Sequence, residues 1–238
     1  MSIKGKLPIR EAYNDLLSPS MKQLGEILAS GVKTARFVVA PLDYIAAYQG
    51  RFQNYLKRIE ERVPEDKLTE GLPQIVAPTV EGLLRSYEGS LLSEMFLSLL
   101  TNAISSDGQN LAHPAFPMII NQLSHDEAII LFFLKQRSYK YKERNVYDSI
   151  TSTFTSCETI LDEFPYEKLM FPDQFLANFY HLQCLSLVYS PQVEKHEIEH
   201  DNGGKQTASI QTYARTLTNF GELFVQSCVP DKFDSISE

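Results

Sequence analysis

His196-Glu197-Ile198-Glu199-His200 spells H-E-x-x-H. On a helix, that spacing turns two imidazoles toward one zinc ion and sets a glutamate beside the metal-bound water. A zinc-dependent hydrolase using His196, Glu197 and His200 is therefore the enzymatic reading of this chain. The surroundings argue against it. The five residues lie in a short polar stretch between Pro191 and Gly203-Gly204, and Lys195 and Glu199 put charge where an active-site helix needs an apolar face. No third ligand is evident. On an extended hairpin arm, side chains alternate and Glu197 points away from both histidines. A solvent-exposed hairpin arm is the expected role, with no metal and no cofactor.

A second chemistry-bearing stretch runs from Lys135 to Arg144. It interleaves Lys135, Arg137, Lys140, Lys142 and Arg144 with Tyr139 and Tyr141, a mixture that can hold phosphates and stack on bases. These seven residues form the candidate interaction surface. If the chain were a groove reader, its recognition helix would be Asp173 to Leu185, which has no Lys or Arg and offers only Gln174, Asn178, His181 and Gln183. Its approach carries Asp162, Glu163, Glu167 and Asp173, a sign of charge that repels a polyanion. A protein partner is expected, by self-association or through another protein, and nucleic acid is disfavoured. His113, ahead of Pro114, is expected to brace a turn and His125 to lie exposed in a first helical turn. The three cysteines read as small hydrophobes. No Gly-rich phosphate loop, carboxylate pair or nucleophile motif is apparent, which leans away from an enzyme.

The composition fits a folded chain. Its 238 residues are 43% hydrophobic and 22% charged, with 22 basic against 30 acidic side chains for a net charge of −8. That size supports a core without metals or disulfides, and Cys157, Cys184 and Cys228 are too few and too dispersed to staple one. The first 62 residues hold ten basic and six acidic residues, enough to guide self-association on an otherwise acidic body. No apolar run reaches the ~18 residues of a membrane span and no apolar core follows the basic N-terminus, so a cytoplasmic setting is expected. A membrane-acting effector would require the first helices to open and expose their apolar faces.

Helical periodicity dominates the first half. Apolar residues recur from Ser20 to Ala40 and again from Pro41 to Pro64, and Ser90 to Ile104 is the cleanest amphipathic segment. Past residue 110, His113-Pro114 leads into a short helix with Phe116 inward. Ser124-His-Asp-Glu127 reads as a capping box opening an apolar helix. A polar stretch follows, then a helix near Ser149 to Leu161 and another from Pro172. Leu185 to Tyr189 and Ser209 to Leu217 read as strands, with Asn202-Gly203-Gly204 as the hairpin turn, and Phe220 to Cys228 closes as a helix. The expected fold is mainly α, with an N-terminal helical bundle over residues 1–110 and a winged-helix-like module with one β-hairpin over 111–238.

The stretch from Phe96 to Leu134 resembles the central signature of the Abi-alpha family, bacterial proteins named for abortive infection. Leu99, Leu100, Asn102, Ala103, His113, Pro114, Phe116, Leu123, Ser124, Glu127 and Ala128 carry the likeness. Leu217, Thr218, Gly221 and Phe224 are similar to the family's closing segment. Most matched positions are caps, turns and core residues, so Asn102, His113, Pro114, Phe116, Ser124 and Glu127 are expected to be structural. The resemblance implies defence against phage and brings no catalytic residues. The expected function is that of a non-enzymatic effector acting through protein contacts, with itself or, as the resemblance implies, with a phage or host protein; a winged-helix nucleic-acid regulator and the zinc hydrolase are the alternatives.

Overall fold

In the computed structural model, residues 54–55 and 57–233 are described. The expected helix from Ser20 to Ala40 lies outside them, as does most of the one from Pro41. The chain divides into two compact units between Gln122 and Leu123.

In the first unit, residues 57–62 are helical and end ahead of Pro64, with Tyr55, Ile59 and Val63 buried. Helix α1, Pro73–Arg85, starts on a proline and contains another, Pro78. Pro78 has no N–H to bond the preceding turn, and next to it the Thr79 hydroxyl donates to the Ile75 carbonyl at 2.6 Å. Gly82 leaves room for the Phe96 ring, whose nearest carbon would lie 2.3 Å from a Cβ placed there. Helix α2, Leu91–Ala103, is N-capped by the Ser90 hydroxyl, which accepts from Ser93 N–H. Arg58 grips Glu94 of α2 with two bonds of 2.8 and 2.6 Å. Helix α3, Phe116–Ile120, buries Phe116, Ile119 and Ile120.

The second unit overturns the expected fold class. It is built on a five-stranded antiparallel sheet, so the protein is a mixed α/β fold and not mainly α with one hairpin. Helix α4, His125–Gln136, begins at the capping box: Ser124 Oγ accepts from Glu127 N–H, and the Glu127 carboxylate accepts from Ser124 N–H. Strand β1, Tyr139–Asp148, then pairs with β2, Thr153–Asp162. The polar stretch and the helix expected near Ser149 to Leu161 are together one long hairpin. Its Tyr-Lys-Tyr-Lys alternation has the period of a strand. The large apolar residues of β2 are in solvent, with Phe154, Ile160 and Leu161 all exposed.

Helix α5, Phe175–Cys184, follows a short 3₁₀ turn at Pro172–Gln174. Of the strand expected at Leu185 to Tyr189, only β3, Val188–Tyr189, is extended. The hairpin turn at Asn202-Gly203-Gly204 joins β4, Glu197–His200, to β5, Gln206–Leu217, and Gly204 supplies the positive φ of 77° that the turn needs. The sheet order is β2-β1-β5-β3, with β4 also on β5. Helix α6, Asn219–Cys228, is N-capped by Thr218, and a Cβ on Gly221 would lie 1.9 Å from the Leu187 carbonyl oxygen. Helix α4 packs against α5, α6 and β5. No helix among the described residues is long and apolar enough to cross a membrane.

Candidate functional site

The basic run is distributed by strand geometry. Alternation on β1 sends Lys140, Lys142 and Arg144 to one face and Tyr139 and Tyr141 to the other. Opposite the three cations on β5 stand Ala214, Thr212 and Ile210, all buried. The long aliphatic stems of the cations lie over these buried side chains and carry their charged ends outward. Beyond β5 each cation meets a carboxylate: Lys140 with Glu194 at 2.8 Å, Lys142 with Glu197 at 3.6 Å, and Arg144 with Glu199 at 2.7 Å. On its other side Arg144 also meets Glu158 of β2 at 3.3 Å. Arg137 pairs with Glu163 at 2.8 Å and lies 4.1 Å from the centre of the Tyr139 ring. Lys135 pairs with Asp231 at 2.6 Å. Hydrogen bonds from Arg137, Lys140 and Arg144 hold the carboxyls of Glu163, Glu194 and Glu199 below their ordinary range. All five cations of the run are thus matched to carboxylates of the same unit.

The tyrosine face holds a different construction. Tyr141 stacks on Tyr213 with ring centres 5.2 Å apart. Beside them Arg215, only 6% exposed, holds Asp162 through bonds of 2.6 and 2.9 Å, with its guanidinium 4.2 Å from the Tyr141 ring centre and 4.8 Å from that of Phe175. Burial works against ionisation of Asp162, yet hydrogen bonds from Arg215, Tyr166 and the Phe164 N–H outweigh it and keep the carboxyl below its ordinary value. Burial, followed by the bond to Asp162, pushes the Tyr166 phenol up. This boxed ion pair ties the end of β2 to β5.

The H-E-x-x-H segment lies on a strand, with Glu197 to His200 forming β4. His196 is joined through Nε2 to the hydroxyl of Ser209, while Glu197 and Glu199 serve the ion pairs above. No group of three or more His, Cys, Asp or Glu among the described residues could hold a metal ion. In the first unit, His113 Nδ1 accepts from Ala115 N–H at 3.1 Å and its ring stands 5.4 Å from that of Phe116, beside the exposed Pro114. Asn102 sits against Gly108, where a Cβ would come within 2.4 Å of its Oδ1.

The surface that sequence reasoning missed surrounds α5. This helix, FLANFYHLQC, has no Lys, Arg, Asp or Glu. Phe175, Phe179 and Leu182 face the core, whereas Leu176 and Tyr180, one turn apart, are 59% and 61% exposed. Met170 and Phe171, just before the helix, are 62% and 55% exposed. Two adjacent acids of α4 hold this region in place. The Asp126 carboxylate, 3% exposed, accepts the backbone N–H of both Met170 and Phe171 at 2.8 Å. Glu127, also 3% exposed, gives one oxygen to the capping bond and the other to His181 Nδ1 of α5 at 2.5 Å. The expected cap residue is therefore also a brace. The chain is locked at both ends of an apolar surface before anything docks on it. The partners of Asp126 and Glu127 lie 44 to 54 residues away, so local spacing carried no sign of them.

A family model described as abortive infection alpha matches residues 47–228. No curated protein and no solved structure matches the chain.

Proposed function

The chain belongs to the abortive infection alpha family, which suggests a role in bacterial defence against phage, and we propose that it fills that role without catalysis, by gripping another protein through α5 and its approach. The observation that carries this reading is the uncharged, exposed face of Leu176 and Tyr180, with Met170 and Phe171 beside it, held by buried carboxylates. Exposed apolar side chains on ordered elements, and a lack of charge at their centre, are the features of protein-binding patches. Preorganisation lowers the ordering cost of association.

The candidate interaction surface at Lys135, Arg137, Tyr139, Lys140, Tyr141, Lys142 and Arg144 then serves as scaffold. A nucleic-acid ligand would have to compete with carboxylates for these cations, and α5 offers it none, which weighs against the regulator alternative. The strand conformation of Glu197 to His200 weighs against the zinc hydrolase.

Efficiency of plating tests the proposal. A bacterial host carrying the chain is challenged with a phage panel, beside hosts carrying Leu176→Glu with Tyr180→Glu, or Lys140→Gln with Lys142→Gln and Arg144→Gln. Protection should be lost in the first variant, with unchanged far-ultraviolet circular dichroism, and kept in the second. Protection that survives the first variant and fails in the second would overturn the reading.

A further inference from the structure

Strand β2 is an edge of the sheet, since the order β2-β1-β5-β3 gives it one neighbour. Nine of its ten residues are exposed. Edge strands are normally guarded by lysine, by proline or by bulges. This one has no Lys, Arg or Pro, and its two register shifts, opposite Lys142/Glu143 and Val146/Tyr147, leave a regular stretch over Ser156, Cys157, Glu158 and Thr159.

The direction of its free backbone groups follows from the pairing. Glu163 N–H bonds to the Lys140 carbonyl, so on β1 the backbone groups of Lys140, Lys142, Arg144 and Val146 face β2. Their partners Glu158, opposite Arg144, and Ser156, opposite Val146, face back toward β1. Cys157 between them, and Thr159 beyond Glu158, present their N–H and C=O groups outward, whereas Thr155 and Ile160 are the residues skipped at the two register shifts.

That edge is complementary to itself. An antiparallel pair centred on Cys157 sets Cys157 against Cys157, Thr155 against Thr159 and Phe154 against Ile160. Within the regular stretch Cys157 and its copy would exchange two backbone hydrogen bonds, and each Thr159 would face the bulged Thr155 of the other copy. Phe154 and Ile160, 57% and 51% exposed, would cover one another. The charges raise no obstacle: Asp162 is bound to Arg215, and Glu158, which pairs with Arg144, stands opposite Ser156. A twofold axis uses up the edge of both copies, so the contact closes as a dimer instead of growing into a fibre.

We propose that β2 pairs with β2 of a second copy of this chain, antiparallel about a twofold axis at Cys157. Light scattering on the full purified chain should give twice the 27.1 kDa of one chain. Hydrogen-bonded antiparallel partners have Cα atoms about 5.5 Å apart, within disulfide reach. Mild oxidation of the Cys184→Ser chain, in which Cys157 is the remaining exposed cysteine among the described residues, should therefore give a covalent dimer. Adding Cys157→Ser should abolish the cross-link and leave the dimer mass in place. Ile160→Lys should halve the mass with circular dichroism unchanged, and so should Thr159→Pro, which removes an outward N–H. A monomeric wild-type chain, or a dimer that Ile160→Lys leaves intact and Cys157 does not cross-link, would overturn the pairing.

Discussion

Replacing Asp126 with Asn tests whether a buried carboxylate, and not the local sequence, holds Met170 and Phe171 in position. The side chain is 4% exposed and receives two backbone N–H groups at 2.8 Å. A hydrogen bond to a charged group contributes roughly 1.5–3 kcal/mol. Asn keeps one acceptor oxygen and turns an NH₂ group toward the second donor, so one bond and the charge are lost together. The released amide belongs to an exposed residue and regains water, which removes part of the penalty. A net cost of about 2 kcal/mol follows, confined to this loop. At 1.4 kcal/mol per factor of ten, the Met170 and Phe171 amides should exchange with solvent about 30-fold faster. Hydrogen exchange of the purified chain reads this directly, with the amides of β5 as an internal reference. A change of less than about threefold at these two amides would refute the tether, because it would correspond to under 1 kcal/mol. An equal acceleration in β5 would place the loss in the whole unit and not in the loop.

Four further outcomes follow from the packing. Asp162→Asn leaves the 7%-exposed Arg215 side chain without a counter-charge and should cost about 3 kcal/mol in urea unfolding, with much of the loss recovered by adding Arg215→Met. Because the Asp162 carboxyl ionises below its ordinary value of 3.8, its contribution is complete above that pH and fades as pH falls through the folded-state value; an acid titration of the wild type should show this loss and Asp162→Asn should lack it. Gly221→Ala drives a Cβ to 1.9 Å from the Leu187 carbonyl oxygen, so thermal melts should show severe destabilisation, about 3 kcal/mol or more; Thr218→Ala, which removes only the cap and its bond to Ser186, should cost about 1 kcal/mol.

What could be read from the sequence was local. Ser90 ahead of α2, the Ser124–Glu127 box and the Gly203-Gly204 turn declare themselves within a few residues, because each satisfies backbone groups of its own segment. Helix α1 went unread: it starts without a capping side chain and carries Pro78 inside. The hairpin over residues 139–162 reads as a helix in sequence because the large apolar side chains of β2 face solvent, so burial imposes no strand alternation on its pattern. The setting of the candidate surface was hidden for a different reason. Tyr139 to Arg144 looked like a free basic patch until the partners of its cations emerged on segments 14 to 55 residues away. The bonds from Asp126 and Glu127 to residues 170, 171 and 181 are equally distant, and only the folded chain brings them together. The family likeness was legible because it rests on caps and turns, the same local features.

A photo-reactive benzoylphenylalanine placed at Tyr180, with one at the 86%-exposed Tyr87 as control, addresses the nature of the partner most directly. On irradiation of phage-infected cells, position 180 should yield a discrete adduct that resists nuclease and is digested by protease, above anything formed at position 87. A nuclease-sensitive adduct, or none beyond the control, would contradict protein recognition by α5.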